Sequence, residues 1–450
     1  MKIIVIGAGE LGRLLAAHFS AARHDVTLID SSPHGVDDLH DKLDVMTLHG
    51  SATDVRLMQE AGIARTDVFL AVSGDEASNV LACQIARHFG VEQVICRLYS
   101  TELFDESAGL TQESYGLGRT FSSPAECATK VLDVLPRRMI LDDARLSHPE
   151  AGITTICVEE ESPLAGQKIM ELPWREIMEN IRFAALVRGQ HLMIPHGQTK
   201  LQAGDKLYVA GRRRDIQAFL ECISPKTLTR HSLVVISGAT RLGKLIADGA
   251  LEQGREVRLI EPSEEKGEAI LAQLPASCKV IVGSATDEDI LREAGIEKCD
   301  TFIGVEENDE GNILGCILAK RLGAGKVVAV THKPEYISIV PAMEVIDCGF
   351  NTTLVSANAV FHLMNAGNFR MDSRLLASQA YLTEFTLKPT SRLNGKRIMD
   401  CQLPPELILA LLFRGTDILT PAGRTVLQAG DVLAAVVTPA LEAKVQALFG

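Results

Sequence analysis

Met1-Lys2-Ile3-Ile4-Val5-Ile6-Gly7-Ala8-Gly9-Glu10-Leu11-Gly12 opens the chain and decides how the rest is read. Residues 2–6 are a short β-branched run. Three glycines follow in G-x-G-x-x-G spacing, and Leu11, Leu14, Leu15 and Phe19 then recur at helical spacing. Residues 26–29 form a second apolar run that ends at Asp30, 18 residues past Gly12. Strand, glycine turn, helix, strand and acid in this order have a physical logic. Gly7 permits a tight turn, Gly9 lets a pyrophosphate approach the backbone, and Gly12 lets the helix pack close to the strand. The helix N-terminus offers unpaired N–H groups and the positive end of its dipole to phosphates. Asp30 can accept hydrogen bonds from a ribose diol, which favours NAD over NADP.

The residues that follow fit one continuing fold. Residues 67–72 are a buried strand, Asp75 and Glu76 precede a helix, and residues 94–96 are a further strand with Arg97 at its carboxyl end. Ligands in parallel sheets sit beyond the carboxyl ends of the strands, so Arg97 is placed to meet a phosphate or a subunit interface. A solvated surface arginine is the competing reading.

The chain then repeats itself. Gly50-Ser51-Ala52-Thr53-Asp54 recurs verbatim as Gly283-Ser284-Ala285-Thr286-Asp287, and Glu60-Ala61-Gly62-Ile63 recurs as Glu293-Ala294-Gly295-Ile296 at the same offset of 233. Leu201-Gln202-Ala203-Gly204-Asp205 recurs as Leu427-Gln428-Ala429-Gly430-Asp431 at an offset of 226, and Arg188-Gly189 returns as Arg414-Gly415. The organisation is A-B-A′-B′. In the second long unit, aligning Gly243 with Gly12 gives Gly238-Ala239-Thr240-Arg241-Leu242-Gly243. Thr240 replaces the central glycine, Glu261 keeps the acid, and Val330 stands where the first unit has Arg97. Weak binding, binding of a smaller adenine nucleotide and an empty site all remain open there.

The 450 residues have a net charge of −13, 46% hydrophobic residues and one Trp. Cores must therefore be built from Val, Ile, Leu and Ala, as in buried parallel sheets. The acidic balance, with no basic stripe, disfavours nucleic acid. Ten scattered Cys lack zinc spacing and imply reduced thiols in a cytosolic protein. No signal peptide precedes the first strand, and the longest uncharged stretch, Cys348 to Phe369, is too polar to cross a bilayer. The short units alternate strands with glycine turns and carry no catalytic triad or metal set; His196 is a turn residue, replaced by Ala422 in the second copy. The expected fold class is α/β: two Rossmann-like parallel-sheet domains, each followed by a small α+β domain. The expected divisions are 1–140, 146–225, 231–370 and 374–450. Residues 136–149, the stretch Ser224 to Arg230 and a stretch from Gly367 to Ser373 are read as links.

The glycine fingerprint, the GSATD loop, the acid–Asn helix start and the LQAGD unit together resemble the RCK (KTN) family over the whole chain. That resemblance implies a regulatory protein and not an enzyme. It would bind NAD(H) or ATP/ADP at Gly7, Ala8, Gly9, Glu10, Leu11, Gly12, Asp30, Ser51, Ala52, Thr53 and Arg97, with Gly238, Gly243 and Glu261 as the counterpart set. The family usually carries Asp where this chain has Ser51 and Ser284, so an acceptor for an adenine amine is missing. The resemblance further implies a homo-oligomer, commonly a tetramer and at least a dimer. It would sit at the cytoplasmic face of the membrane, beneath a potassium-transporter subunit of Trk type. An NAD-dependent oxidoreductase and an RCK-type regulator of another ion transporter are the alternatives. Against the first, the short units offer no His, Lys or Tyr acid–base constellation.

Overall fold

A computed structural model of the chain describes residues 1–33, 43–100, 104, 106–189, 191–224, 232–340, 343–364, 369–374, 381–404, 407–437, 441, 445 and 448. Pro225 to Arg230 of the link between the halves, and Gly367 and Asn368 of the last link, lie outside them. By internal contacts the chain divides into two compact units. The first is Met1–Thr129 with Val330–Ile337 and Phe350–Asn365; the second is Lys130–Ala329 with Ser338–Gly349 and Ala366–Gly450.

In the first unit, β1 (Lys2–Ile6), β2 (Asp25–Asp30), β3 (Met46–His49), β4 (Val68–Ala71), β5 (Gln93–Leu98) and β6 (Arg119–Ser122) form one parallel sheet in the order β3-β2-β1-β4-β5-β6. This is the doubly wound dinucleotide-fold order, whose crevice opens where the winding reverses, between β1 and β4. Ile3, Ile4, Val5, Leu28, Phe69 and Leu70 are completely buried. Burial on both faces explains why these strands read as unbroken apolar runs.

A helix from the second half completes this unit. Thr352–Met364 packs on the helix Glu10–Ala21, with the Phe361 ring 4.6 Å from that of His18 and 5.7 Å from that of Phe19. Arg119 donates to the Leu363 carbonyl. Burial pushes His18 from 6.5 down to about 4, with His24 adding to the effect. The unfolded chain therefore takes up this proton at a higher pH than the folded one. The packing holds its full strength above about pH 6.5 and loses it as pH falls toward 4. Acidification from pH 7 to 5 should cost the wild type about 2 kcal/mol through this group. His18→Leu should flatten that slope in melts taken across the range.

The second unit begins with β7 (Ile140–Arg145), β8 (Ala151–Cys157), β9 (Ile181–Arg188), β10 (His191–Met193) and β11 (Lys206–Arg212), an antiparallel sheet in the order β10-β9-β11-β8-β7. Residues 136–149, read as a link, thus contain a strand. Its charges are paired: Lys130 holds Asp142 at 3.0 Å, Arg213 and Thr154 hold Asp143 at 2.7 and 2.8 Å, and Ile140, Leu141 and Ala144 are buried. Charge content hid a strand whose charges are satisfied by neighbours distant in sequence.

A third sheet repeats the first. It contains β12 (Leu233–Ser237), β13 (Glu256–Glu261), β14 (Lys279–Val282), β15 (Cys299–Gly304), β16 (Lys326–Thr331) and β17 (Cys348–Asn351), in the order β14-β13-β12-β15-β16-β17. The fourth is built from β18 (Phe369–Arg374), β19 (Tyr381–Thr386), β20 (Ile408–Arg414), β21 (Asp417–Leu419) and β22 (Val432–Val437), in the order β18-β19-β22-β20-β21. The described part of the last expected link is therefore strand β18, paired antiparallel with β19. The two small sheets share one core, in which Ala184, Ala185 and Tyr208 cluster with Leu382, Leu411 and Val436.

The second unit also shows why LQAGD is repeated. Asp205, 1% exposed, takes a two-point ion pair from Arg188 at 2.7 and 2.8 Å and a hydrogen bond from the Gln202 N–H at 2.8 Å. Arg414, Asp431 and Gln428 reproduce the arrangement at 2.8 Å throughout. A buried carboxylate needs such a fork, because an unpaired charge there would be strongly destabilising.

Candidate nucleotide cleft

Above the carboxyl ends of β1 and β4 lies a cleft of about 650 Å³. Gly7 turns the chain at φ +101°, and a Cβ there would stand 2.6 Å from the Ser73 backbone. Gly12 faces the Gly7 carbonyl so closely that a Cβ would come within 1.7 Å of it. Gly9 is a different kind of glycine. It is the N-cap of the helix Glu10–Ala21, no side chain caps that helix, and a Cβ at Gly9 would meet open space. The first-turn N–H groups therefore face the cleft with the helix dipole behind them, the arrangement that attracts an anion.

The Asp30 carboxylate lies in the same cleft, fixed by the Ala8 N–H at 2.5 Å and the Ser32 N–H at 2.7 Å. Gly7, Ala8, Gly9, Asp30, Ser51 and Ala52 all line it. Glu10 and buried Leu11 belong to the helix and Gly12 to the helix–strand contact, and these three stand outside the lining. Thr53 also stays outside, its hydroxyl bonded to Ser51 at 2.8 Å. That loop ends at Asp54, which caps the helix Val55–Glu60 through the Arg56 N–H, and Ser284, Thr286 and Asp287 repeat the whole arrangement. The verbatim GSATD repeat is thus a self-bonded turn followed by a helix cap. Arg97 is also outside the lining; its guanidinium donates to the Val72 carbonyl at 3.4 Å, and burial lowers its pKa.

Sequence reasoning passed over several wall residues. Arg13 lines the cleft while its Nε donates to the Ala8 carbonyl at 2.7 Å. Ser73 and Ser78 form the opposite wall. Asn79, 1% exposed, holds that wall in place, accepting from the Ser73 N–H and hydroxyl and donating to the Ser73 and Arg97 carbonyls. Asn79 itself was marked in the sequence by the acid–Asn helix start and by its recurrence as Asn312. Asp75 caps the next helix, and hydrogen bonds from Ser78 keep its carboxyl below the usual range.

At the second glycine loop, Gly238 keeps its turn at φ +120°, and a Cβ on Gly243 would lie 2.1 Å from the Gly238 carbonyl. Glu261 accepts from the Ala239 N–H at 2.7 Å and the Ser263 N–H at 3.1 Å, as Asp30 does in the first loop. Thr240 is the departure. Its hydroxyl accepts from the Gly243 N–H at 3.0 Å and donates to the Val305 carbonyl at 3.1 Å, so the helix Arg241–Glu252 caps itself. Lys244, the counterpart of Arg13, is paired with Asp248 at 2.8 Å.

A doubly wound sheet with a glycine-loop cleft, duplicated and alternating with small antiparallel sheets, defines a tandem dinucleotide-fold chain. The fold is shared with the solved GsuK RCK domain (TM-score 0.63, 19% identity, covering 100% of this chain and 94% of that one). It is shared too with the GsuK channel bound to NAD (TM-score 0.62, 18% identity, covering 100% and 78%). The TrkA-N domain family matches residues 3–107 and 234–348, and the TrkA-C domain family matches residues 153–223 and 382–450. The Trk system potassium uptake protein TrkA homolog of Archaeoglobus fulgidus is 29% identical over 433 residues, 96% of each chain. The Trk system potassium uptake protein TrkA of Vibrio alginolyticus is 27% identical, covering 100% of this chain and 98% of its own length. The chain belongs to the TrkA family.

Proposed function

We propose that this protein is the nucleotide-binding regulatory subunit of a Trk-type potassium uptake system, controlling a membrane potassium-translocating subunit from the cytoplasmic face. The first cleft binds NAD(H) or ATP/ADP, with phosphates at the helix N-terminus after Gly9 and a ribose diol on Asp30. The carrying observation is that open, uncapped N-terminus beside a fixed carboxylate, in a chain that matches TrkA relatives over nearly its full length. The described lining supplies hydroxyls, carboxylates and Arg13, and contains no His, Lys or Tyr, which favours a binding role over hydride transfer. No described helix is long and apolar enough to cross a membrane. In this reading contact with the bilayer runs through the partner. Copies of the chain assemble into a ring, commonly four. A nucleotide that prefers one ring geometry shifts the ring toward it, by no more than its difference in affinity between the two states.

Titration calorimetry of the purified chain with NADH, NAD⁺, ATP and ADP tests the reading. Saturable binding of at least one of them to the first cleft is the expected result. A chain that binds none of the four would overturn it.

A further inference from the structure

We infer that the second cleft is closed to phosphate-bearing ligands by the chain's own carboxylate, Glu306, acting with Thr240. The inference uses the nucleotide reading of the first cleft only as its reference point. Glu306 occupies the place of Ser73 at the repeat offset of 233, and its backbone is held in the same way. The Asn312 side chain accepts from the Glu306 N–H and donates to the Glu306 carbonyl, both at 2.8 Å, as Asn79 does with Ser73. With the backbone fixed identically, the longer side chain must go where the short serine leaves room.

Its two ends show where it goes. One carboxylate oxygen is hydrogen-bonded by the hydroxyl of Ser237, the counterpart of Ile6 when the two glycine loops are aligned. The other lies 3.5 Å from where a Cβ on Gly311 would be, and Gly311 is the counterpart of Ser78. Ile6, Ser73 and Ser78 all line the first cleft. A single carboxylate therefore bridges, in the second half, three positions that form the cleft in the first.

Thr240 completes the closure at the helix end. Its hydroxyl takes the Gly243 N–H, so this helix start is capped from within, whereas no side chain caps the first one. The second loop thus carries a negative charge on its floor and a satisfied donor at its helix, the reverse of what a phosphate needs. Glu261 keeps its place, so the fold of the loop survives while its ligand chemistry does not.

Titration with ATP and NADH tests this on the full-length chain. Wild type should bind one nucleotide per chain. Ser73→Glu, which installs the same carboxylate in the first cleft, should weaken that binding on the order of 100-fold. Gly9→Asp should weaken that binding by about 100-fold or more, and Gly9→Asp with Thr240→Gly and Glu306→Ser should regain one site of the wild-type kind. Two sites in the wild type, or undiminished affinity in Ser73→Glu, would overturn the inference. So would a triple variant that keeps the wild-type melting profile but gains no site. A wild type without any site would instead overturn the function proposed above. Gain of a site by Thr240→Gly with Glu306→Ser would then still decide the second cleft.

Discussion

Gly9→Asp should weaken nucleotide binding by about 100-fold or more while leaving the chain as stable as wild type, or slightly more so. The two effects separate because of where Gly9 sits. Its Cβ direction is open space, so the new side chain meets nothing in the protein. Gly9 is also the N-cap of the helix Glu10–Ala21, where Asp is a favoured residue and Gly to Asp is worth a few tenths of a kcal/mol. The added carboxylate would take the first-turn N–H groups and set a negative charge at the phosphate position, and like charges brought together at an interface cost several kcal/mol. Calorimetric titration together with a melting curve reads both quantities. Retained affinity would remove phosphate from the helix N-terminus; a large drop in melting temperature would mean that Gly9 is needed for folding. The second loop already carries a milder version of this change, since Thr240 caps its own helix.

The second large effect is expected in the second unit. Lys326→Ala should destabilise the second unit by about 2–4 kcal/mol, whereas Gln93→Ala should change stability by no more than about 0.5 kcal/mol. Lys326 and Gln93 are the same position in the two halves, the first residue of β16 and of β5. Gln93 is exposed, whereas Lys326 is 1% exposed. Its ammonium donates to the carbonyls of Val134 at 2.7 Å, of Arg137 at 3.4 Å and of Ile140. These carbonyls close the helix Ser123–Val134 and lead into β7, so the alanine would leave buried acceptors without their cation and a cavity where the stem had been. Scanning calorimetry of the two variants measures the contrast, and equal melts would sink it.

Lys326 belongs to a wider exchange. In the second unit Leu132 of the first half packs against Gly249, where a Cβ would fall 2.4 Å from the leucine, and Arg255 donates to the Leu135 carbonyl at 2.7 Å. Gly249 and Leu132 are the counterparts of His18 and Phe361, which meet in the first unit. The same two positions are thus in contact twice, as a small residue against leucine and as a ring against a ring. One unit is sensitive to protonation at this contact, and the other is sensitive only to volume.

The period of the sequence made the architecture legible. Two glycine loops with an acid 18 residues on, two GSATD turns and two LQAGD turns specify two doubly wound sheets alternating with two small ones, because each motif is local and carries its own turn or cap. The first cleft was legible for the same reason in Gly7, Gly9 and Asp30. What could not be read were the contacts made across long separations. Strand β7 looked like a link because Asp142, Asp143 and Arg145 are charged, and only the fold brings Lys130, Arg213 and Asp133 to them. From its place at a strand end Arg97 was open to a phosphate, a subunit interface or solvent, and only the fold shows its guanidinium donating to the Val72 carbonyl.

The sequence by itself determined that this chain is a duplication and that its second glycine loop had lost its central glycine, since residue identity and spacing suffice for both. Only the tertiary structure decided what the loss means. Thr240 could have left the helix end open, and Glu306 could have pointed to solvent. The Asn312 side chain holds the Glu306 backbone and the Ser237 hydroxyl holds its carboxylate instead. A side chain's destination is set by the backbone that holds it and by the partners that meet it, and here those partners lie 6 and 69 residues away.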